Sequence, residues 1–509
     1  MARFFGGAKS DHPMADLKEA QRLLGELPSG DAVGALDEIN HWFESIRTEQ
    51  TFRADHRAAL ALMLDEAAQA PARKLAREYL TTPRLSKQQE HRIWGAMHGF
   101  WRAATLAFVG ALEAFVTGAK GADDLKGRLP LVTVRALRAL AAQMKWLHMR
   151  YAPVDPQLWR MAVGSYSLAE SRRYAKASVA AYPGVPVEST AEQEFLRVLM
   201  LAASSPESLL PLEIELCERL IGHFTPRFLL TAAPRGDTPY WIDLAASSPP
   251  ARHARPPLEA KTLRYFGAGD ALAEIETLER AIRSSGAVPA SLNLGGAYPP
   301  ERVLRVLEHA AAHWAPAPLE RKHVRHRVKS RLTVAWGFDG ALDALAPGTS
   351  LDFDGSRLES WIAENVSAGG MGALVPQVKG DWLRVGAIVA LQPEGGENWL
   401  IGVVRRISRQ QTGDAQVGVQ TISRQPSAVE LRVQAGDTLS LDTEPGILLA
   451  PAAGAIETEV MLRPGVHVTG HNLVFERAGR QIVLSPAGVA ERGADYELVR
   501  CRQLVREPG

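Results

Sequence analysis

The order of apolar and polar residues separates a helical first part of the chain from a strand-rich last part. Up to about residue 225, apolar side chains recur every three or four positions, as at Leu17, Ala20, Leu23, Leu24 and Leu27. This spacing places them on one face of an α-helix. A series of such helices joined by short Gly and Pro breaks is typical of a bundle or an irregular solenoid. Because no fixed repeat period is present, a true repeat array is the weaker interpretation.

Helix start signals support this prediction. Ser86 with Gln89 and Thr190 with Gln193 have the spacing of a capping box, in which each side chain bonds to the backbone of the other residue. Asp155 stands directly before Pro156, and a capping aspartate followed by proline at the first helical position is a common helix start.

The most apolar segment runs from Ala103 to Gly118 and contains Glu113. It is shorter than the roughly 18 apolar residues of a membrane-spanning helix, so we predict a buried helix and no transmembrane segment. The first residues lack the apolar core of a secretory signal, which predicts a cytoplasmic protein.

Composition narrows the class of protein. Of the 509 residues, 46% are apolar and 23% are charged, as in ordinary soluble proteins. The net charge of +1 argues against a dedicated binder of nucleic-acid polymers. Cys217 and Cys501 lack the spacing of metal ligands and are expected to be buried apolar residues. We expect no metal and no cofactor.

Residues 226–313 alternate short apolar runs with two helical patterns, at 271–284 and 300–313. Within them, Phe266-Gly-Ala-Gly-Asp270 has the context of a dinucleotide-binding glycine loop, but Leu272 occupies the position of the third glycine. A turn with Asp270 as helix N-cap explains the same residues, and we favour it.

From Val328 onward, runs rich in valine and isoleucine are separated by Gly, Asp and Pro, which is the pattern of short strands. Six of them predict a small closed barrel: Val328–Phe338, Leu358–Glu364, Gly372–Pro376, Leu383–Leu391, Trp399–Ile407 and Ala415–Ile422. Further runs predict a second β module: Val429–Val433, Thr438–Leu441, Glu457–Leu462, Val466–Val468, Leu473–Glu476, Ile482–Leu484 and Tyr496–Arg502.

The predicted fold class is multidomain α+β, with an all-α bundle or irregular solenoid followed by a six-stranded barrel and a second barrel-like module. The predicted divisions are a flexible N-terminus 1–13, a helical domain 14–225, a mixed α/β linking region 226–313, a Pro-rich linker 314–319, a first barrel 320–426 and a C-terminal β module 427–509.

Two motifs in the first barrel carry the strongest chemical signal. The segment from Arg321 to Arg327 reads R-K-H-V-R-H-R and precedes the first strand, and the segment from Asn365 to Gly370 reads N-V-S-A-G-G. An arginine fork can hold a phosphate or the O6 and N7 atoms of guanine. Asn365 and Ser367 are two apart on a strand, so both side chains project from one face. The surrounding Lys322, Arg327, Lys329 and Arg331 would attract an anion.

In these motifs the chain resembles the PilZ domain, whose signature is R-x-x-x-R followed by [D/N]-x-S-x-x-G. The resemblance implies a six-stranded barrel that binds the bacterial second messenger cyclic di-GMP, and it covers only the C-terminal half; the helical region is not recognised. The implied ligand-binding residues are Arg321, Arg325, Asn365, Ser367 and Gly370, with Lys322, Arg327 and Gly369 as additional candidates. The interval between the motifs is longer than usual in the family, and 340–357 is predicted to form an extended hairpin loop.

The resulting hypothesis is an effector that couples cyclic di-GMP binding at the barrel to the arrangement of the helical domain or its binding of a protein partner. The alternative is a constitutive protein-interaction scaffold whose barrel has kept the fold and lost the ligand. H-E-x-x-H, P-loop and G-x-S-x-G motifs are absent from the sequence, so we expect no catalytic residues and no enzyme. An enzyme regulated by the barrel ranks third.

Overall fold

The computed structural model of the protein describes residues 11–82, 85–252, 260–320, 323–346, 357–378, 380–436, 438–450, 457–477, 479–493 and 495–504. The chain forms two compact units, which we call the helical unit and the barrel unit. The helical unit comprises Met1–Arg150, Val154–Pro206 and Pro211–Leu319, and the barrel unit comprises Tyr151–Pro153, Glu207–Leu210 and Glu320–Gly509. The finer predicted boundaries stay predictions.

Eight α-helices precede the mixed region within the described residues of the helical unit. They are α1 (Leu17–Gly25), α2 (Ala32–Thr48), α3 (Ala54–Thr81), α4 (Lys87–Val116), α5 (Leu129–His148), α6 (Pro156–Ser171), α7 (Ala191–Ala203) and α8 (Pro211–Phe224). A two-stranded ribbon of β1 (Val179–Ala180) and β2 (Glu188–Ser189) lies between α6 and α7. The predicted capping boxes are present at the starts of α4 and α7, and Asp155 caps α6 with Pro156 at its first position.

The apolar segment predicted as a buried helix is the second half of α4. Phe100 and Phe108 of this helix are fully buried, and the helix packs against α2, α3 and α5. By length and composition alone, α4 is also the one helix among the described residues that is apolar enough to cross a membrane. Its buried aromatic face is that of a core helix.

A buried ion cluster joins α3 and α5. Arg135 and Asp65 are 1% and 2% exposed, and the arginine donates to the Asp65 carboxylate and, at 2.9 Å, to Glu66. The same guanidinium lies 3.6 Å from the centre of the Tyr182 ring and donates to the carbonyl of Ala181. Because both charges are removed from water, each depends on the other for compensation.

The mixed region contains four strands and two helices in its described part. They are β3 (Leu229–Thr231), β4 (Tyr240–Asp243), β5 (Ala251–Arg252), β6 (Leu263–Gly267), α9 (Ala271–Ser285) and α10 (Pro300–Trp314). The sheet has the order β3-β6-β4-β5, and all its pairs are antiparallel. A dinucleotide-binding loop follows a strand of a parallel sheet, and this sheet is antiparallel. Gly267 ends β6, and Gly269 lies in the turn before α9. Asp270 is the N-cap residue of α9, as predicted, although its side chain makes no cap hydrogen bond.

The first barrel has the predicted six strands. They are β7 (His326–Trp336), β8 (Leu358–Ser367), β9 (Gly370–Val375), β10 (Ile388–Pro393), β11 (Leu400–Arg409) and β12 (Ala415–Ser423). The order around the closed barrel is β7-β8-β9-β12-β11-β10, and every pair is antiparallel. The predicted long hairpin loop is wrong where it is described, because Gly337–Leu345 forms the helix α11. Residues 347–356 lie outside the described residues.

The C-terminal module is a second closed barrel. Its strands are β13 (Ser427–Ala435), β14 (Thr438–Leu439), β15 (Glu444–Leu449), β16 (Glu457–Leu462), β17 (Asn472–Arg477), β18 (Arg480–Arg492) and β19 (Glu497–Leu504). Apart from the short β14, the order is β13-β15-β16-β19-β18-β17, closed by pairing of β17 with β13. The sequence pattern missed β15, and in the described stretch 457–477 the predicted strand Val466–Val468 is not formed.

The two barrels have the same topology. The six strands of each barrel are numbered here in chain order, without the short β14. In both barrels the order around the barrel is then first, second, third, sixth, fifth, fourth. The predicted α+β fold class, with a helical region followed by two barrels, is thereby confirmed.

The barrels share an apolar core. It is formed by Ala335, Ile388, Ala390, Ile401 and Val403 of the first barrel, Phe338, Ala341 and Ala344 of α11, and Ile447, Leu449, Met461, Tyr496 and Leu498 of the second. Beside it, Arg405 holds both carboxylate oxygens of Glu491 at 2.7 Å. The hydroxyl of Tyr496 donates to the same carboxylate at 2.6 Å. The barrels therefore pack as one body.

Candidate ligand-binding face of the first barrel

The arginine motif leads directly into β7. Arg325 stands one residue before the strand and Arg327 is the second residue of it, and both are exposed. Arg321 and Lys322, which the sequence analysis also assigned to the site, lie outside the described residues. The described part of the motif therefore begins at His323.

A β-bulge in β8 aims Asn365 at the outside of the barrel. Trp361 and Ala363 point into the barrel core. Ala363 pairs with Ala373 of β9 and Asn365 pairs with Gly372, so β8 has one extra residue at this point. Such an extra residue changes the face of the sheet to which the following side chains point. Asn365 and Ser367 then project outward together, as their spacing predicts.

Asn365 has an unused hydrogen-bond acceptor. Its Oδ1 atom is buried and has no hydrogen-bond partner among the described residues. A buried acceptor without a partner costs about 1–3 kcal/mol, so a rotation of the side chain that brings Oδ1 to a hydrogen-bond donor would be favourable. Guanine carries such donors at N1 and N2. The side chain lies against Gly372, its partner on β9: a Cβ added there would be 2.6 Å from Asn365 Nδ2.

Ser367 and Gly370 close the turn between β8 and β9. The Ser367 hydroxyl donates to the carbonyl of Gly370 at 3.0 Å, which leaves the serine oxygen able to accept from a ligand. A Cβ on Gly370 would be 2.2 Å from the carbonyl oxygen of Val419 on β12. Only glycine permits this close approach, so both predicted site residues also hold the turn in place.

The two motifs meet at this turn. The imidazole of His323 lies over Gly369, where an added Cβ would be 2.7 Å from His323 Cδ2. From the other side, Arg424 donates to the carbonyl of Ala368 at 3.1 Å, and the backbone N–H of Thr421 donates to the carbonyl of Gly369 at 3.1 Å. The structure thus brings the arginine segment and the N-x-S-x-x-G turn together, although some forty residues separate them in sequence.

The register of the sheet adds residues that sequence spacing did not reveal. Arg327 pairs with Asn365, Asn365 with Gly372, Gly372 with Gly418 of β12, and Gly418 with Arg406 of β11. Directly paired residues point to the same face of a sheet. Arg406 and Gly418 belong to no sequence motif that includes the other residues of the face. Only the pairing of β9 with β12, and of β12 with β11, identifies them.

The face is predominantly cationic. Arg325, Arg327, Lys329, Arg331 and Arg406 are exposed on or beside it, and Glu364, at the bulge, is an exposed carboxylate on the same strand as Asn365. Such a cluster raises the local concentration of anions. The charge of this outer barrel face is suited to an anionic ligand.

Comparison with known sequences gives a match in the helical region. Residues 18–235 match the family described as the cyclic-di-GMP receptor FimW, N-terminal domain. No curated protein matches the chain. The matched family consists of receptors, and no catalytic family is indicated. The match lies in the helical region, which the sequence motifs left unrecognised.

Proposed function

We propose that the protein is a cyclic di-GMP receptor of the PilZ kind, in which the outer face of the first barrel binds the ligand. The observation that carries the proposal is the meeting of His323 and the turn at Gly369 beside the unpartnered Oδ1 of Asn365. The similarity of residues 18–235 to a cyclic-di-GMP receptor domain supports the same ligand from a separate part of the chain.

Each residue of the face has a chemical role in this proposal. Arg325 and Arg327 bind phosphate or the Hoogsteen edge of guanine through their planar forks. Asn365 Oδ1 accepts from the N1 or N2 donors of the base, and Ser367 accepts a further hydrogen bond. Gly370 keeps the turn close to β12. Arg321 and Lys322 complete the basic segment.

Ligand binding transmits a signal only if it favours one arrangement of the protein over another. We propose that cyclic di-GMP draws the arginine segment, which begins where the helical unit ends, onto the barrel face. In this proposal, the movement of the arginine segment changes the binding of a partner protein to the helical unit.

Isothermal titration of the full chain with cyclic di-GMP tests the proposal, with GTP and cyclic di-AMP as controls. We expect saturable binding that is selective for the guanine dinucleotide. If the full chain takes up no cyclic di-GMP, the receptor function is overturned and the constitutive scaffold replaces it.

Replacing Gly372 by alanine is expected to weaken binding on the order of tenfold, which corresponds to the loss of one hydrogen bond of about 1–1.5 kcal/mol. The new Cβ would meet Asn365 Nδ2 at 2.6 Å, so the amide must turn away and its acceptor leaves the site. Because the displaced atoms are the end of a flexible side chain, stability changes by less than about 0.5 kcal/mol. Titration and a thermal melt measure the two effects.

Gly164→Ala is the matched control, since an added Cβ at Gly164 has no neighbour within 4 Å and the position lies in α6. Its affinity should equal that of the natural protein. Equal affinity for Gly372→Ala would show that the Asn365 amide takes no part in binding.

A further inference from the structure

We infer that Arg424 is a further ligand-binding residue, which holds the second phosphate of the cyclic dinucleotide at the turn between β8 and β9. This turn, residues 367–370, is called the motif turn below. The inference rests on the proposed function and adds a residue that belongs to neither sequence motif, since Arg424 directly follows β12.

The end of β12 lies beside the motif turn. Gln420 of β12 pairs with Gly370, and the backbone N–H of Thr421 donates to the carbonyl of Gly369 at 3.1 Å. The backbone of β12 therefore runs along the turn up to the point where the strand ends. Arg424 begins from this end of the strand.

The side chain of Arg424 reaches back onto the motif turn. Its Nη2 atom donates to the carbonyl of Ala368 at 3.1 Å, and the side chain is exposed. An arginine has five N–H donors, and this is the one hydrogen bond of the Arg424 side chain within the described part of the chain. No described carboxylate forms an ion pair with it. The guanidinium is thus held in place by the turn and has donors left for an anion.

Arg424 lies close to the point where the arginine motif meets the turn. His323 covers Gly369, where an added Cβ would be 2.7 Å from His323 Cδ2. Ala368, which Arg424 contacts, is the preceding residue, and adjacent Cα atoms are about 3.8 Å apart. Arg325 follows His323 by two residues. Both groups contact neighbouring residues of one turn, so the curvature of the barrel does not separate them.

The chemistry of the two sides fits a ligand with two phosphates. The arginine segment approaches the motif turn from β7, and Arg424 approaches it from β12. A guanidinium holds a phosphate through two parallel hydrogen bonds, so each side of the turn can bind one phosphate of a cyclic dinucleotide. Because the contact of Arg424 is between opposite charges at an exposed position, salt should screen it.

Titration of the full-length Arg424→Ala variant with cyclic di-GMP, at low and at high salt, tests the inference. We expect a loss of affinity on the order of tenfold at low salt, and a smaller loss at high salt because the contact in the natural protein is then screened. The melting temperature should stay constant, since the hydrogen bond lost at Ala368 is exposed and water replaces it.

Two further variants serve as controls. Arg424→Lys keeps the positive charge and lacks the planar fork, so it should recover part of the affinity and of its salt dependence. Arg477→Ala removes an exposed arginine of the second barrel, which is the same change of charge at a distant position. Its affinity should equal that of the natural protein.

The outcomes separate this inference from the proposed function. If the natural protein binds and Arg424→Ala binds equally well, the contact is wrong and the receptor function stands. If Arg424→Ala and Arg477→Ala lose affinity equally, the effect is one of overall charge and the contact is wrong. If Arg424→Ala loses the same factor at low and high salt, Arg424 only holds the turn and does not bind phosphate. If the natural protein does not bind, both proposals fall.

Discussion

Replacing Arg325 by alanine is expected to lower the affinity for cyclic di-GMP on the order of a hundredfold, or about 3 kcal/mol, which is typical for removal of a charge paired with a bound ion. Arg325 precedes β7, is exposed, and belongs to the segment whose His323 covers the Gly369 turn. Its guanidinium can therefore reach a ligand held at Asn365. Because an exposed arginine outside regular structure contributes little to folding, the melting temperature should stay constant. Isothermal titration measures the change.

Arg325→Lys distinguishes charge from shape. Lysine keeps the positive charge but lacks the planar fork, so we expect an affinity between those of the natural protein and the alanine variant. A lysine variant that binds like the natural protein would show that Arg325 acts only through its charge. If Arg325→Ala binds cyclic di-GMP with full affinity, the arginine motif is not part of the binding site.

The largest effect on stability is expected from Arg135→Met. The substitution keeps much of the side-chain volume and removes the cation that compensates Asp65, which is 2% exposed. Removing one partner of a buried ion pair costs about 3–5 kcal/mol. Urea unfolding of the full chain, followed by the helical circular-dichroism signal, should show a clearly lower midpoint. Arg73→Met changes an exposed residue of α3 and should shift stability by less than about 0.5 kcal/mol.

The stability lost in Arg135→Met should increase as the pH rises. Burial raises the pKa of Asp65, and Arg135 opposes this effect. Without Arg135 the folded protein holds a proton on Asp65 at a pH where the unfolded chain has released it. The unfolded state then binds fewer protons, so the free energy of unfolding falls with rising pH between the two pKa values. If Arg135→Met loses the same free energy of unfolding at acidic and neutral pH, a group other than Arg135 compensates the charge of Asp65.

Local sequence signals predicted most of the secondary structure. The Ser86 and Thr190 capping boxes act within one helical turn, and the valine-rich runs of the first barrel have the period of a strand. Both signals depend on neighbours in sequence. The helix α11 was missed because Gly337-Phe-Asp-Gly-Ala resembles a loop by its glycines, yet its apolar residues Phe338 and Ala341 pack into the core between the barrels. That contact is distant in sequence.

The candidate site was predictable only as far as its motifs extend. The spacing of Asn365 and Ser367 predicted that both side chains lie on one face, but the bulge that turns Asn365 outward has no sequence signature. Arg406 became a candidate only through the register of β9, β12 and β11. Register is set by packing of the whole barrel, and one sequence does not reveal which glycine of one strand lies opposite a glycine of another.

The shared core between the barrels limits how the ligand-binding part can be isolated. A fragment ending after Ser423 would leave Ile388, Ile401 and Val403, together with Phe338 of α11, without the residues of the second barrel that cover them. A contiguous apolar patch of this kind promotes association of a protein with itself, and Arg405 would lose Glu491. The smallest soluble fragment that retains the binding face should therefore keep both barrels, including the one that contains no ligand motif.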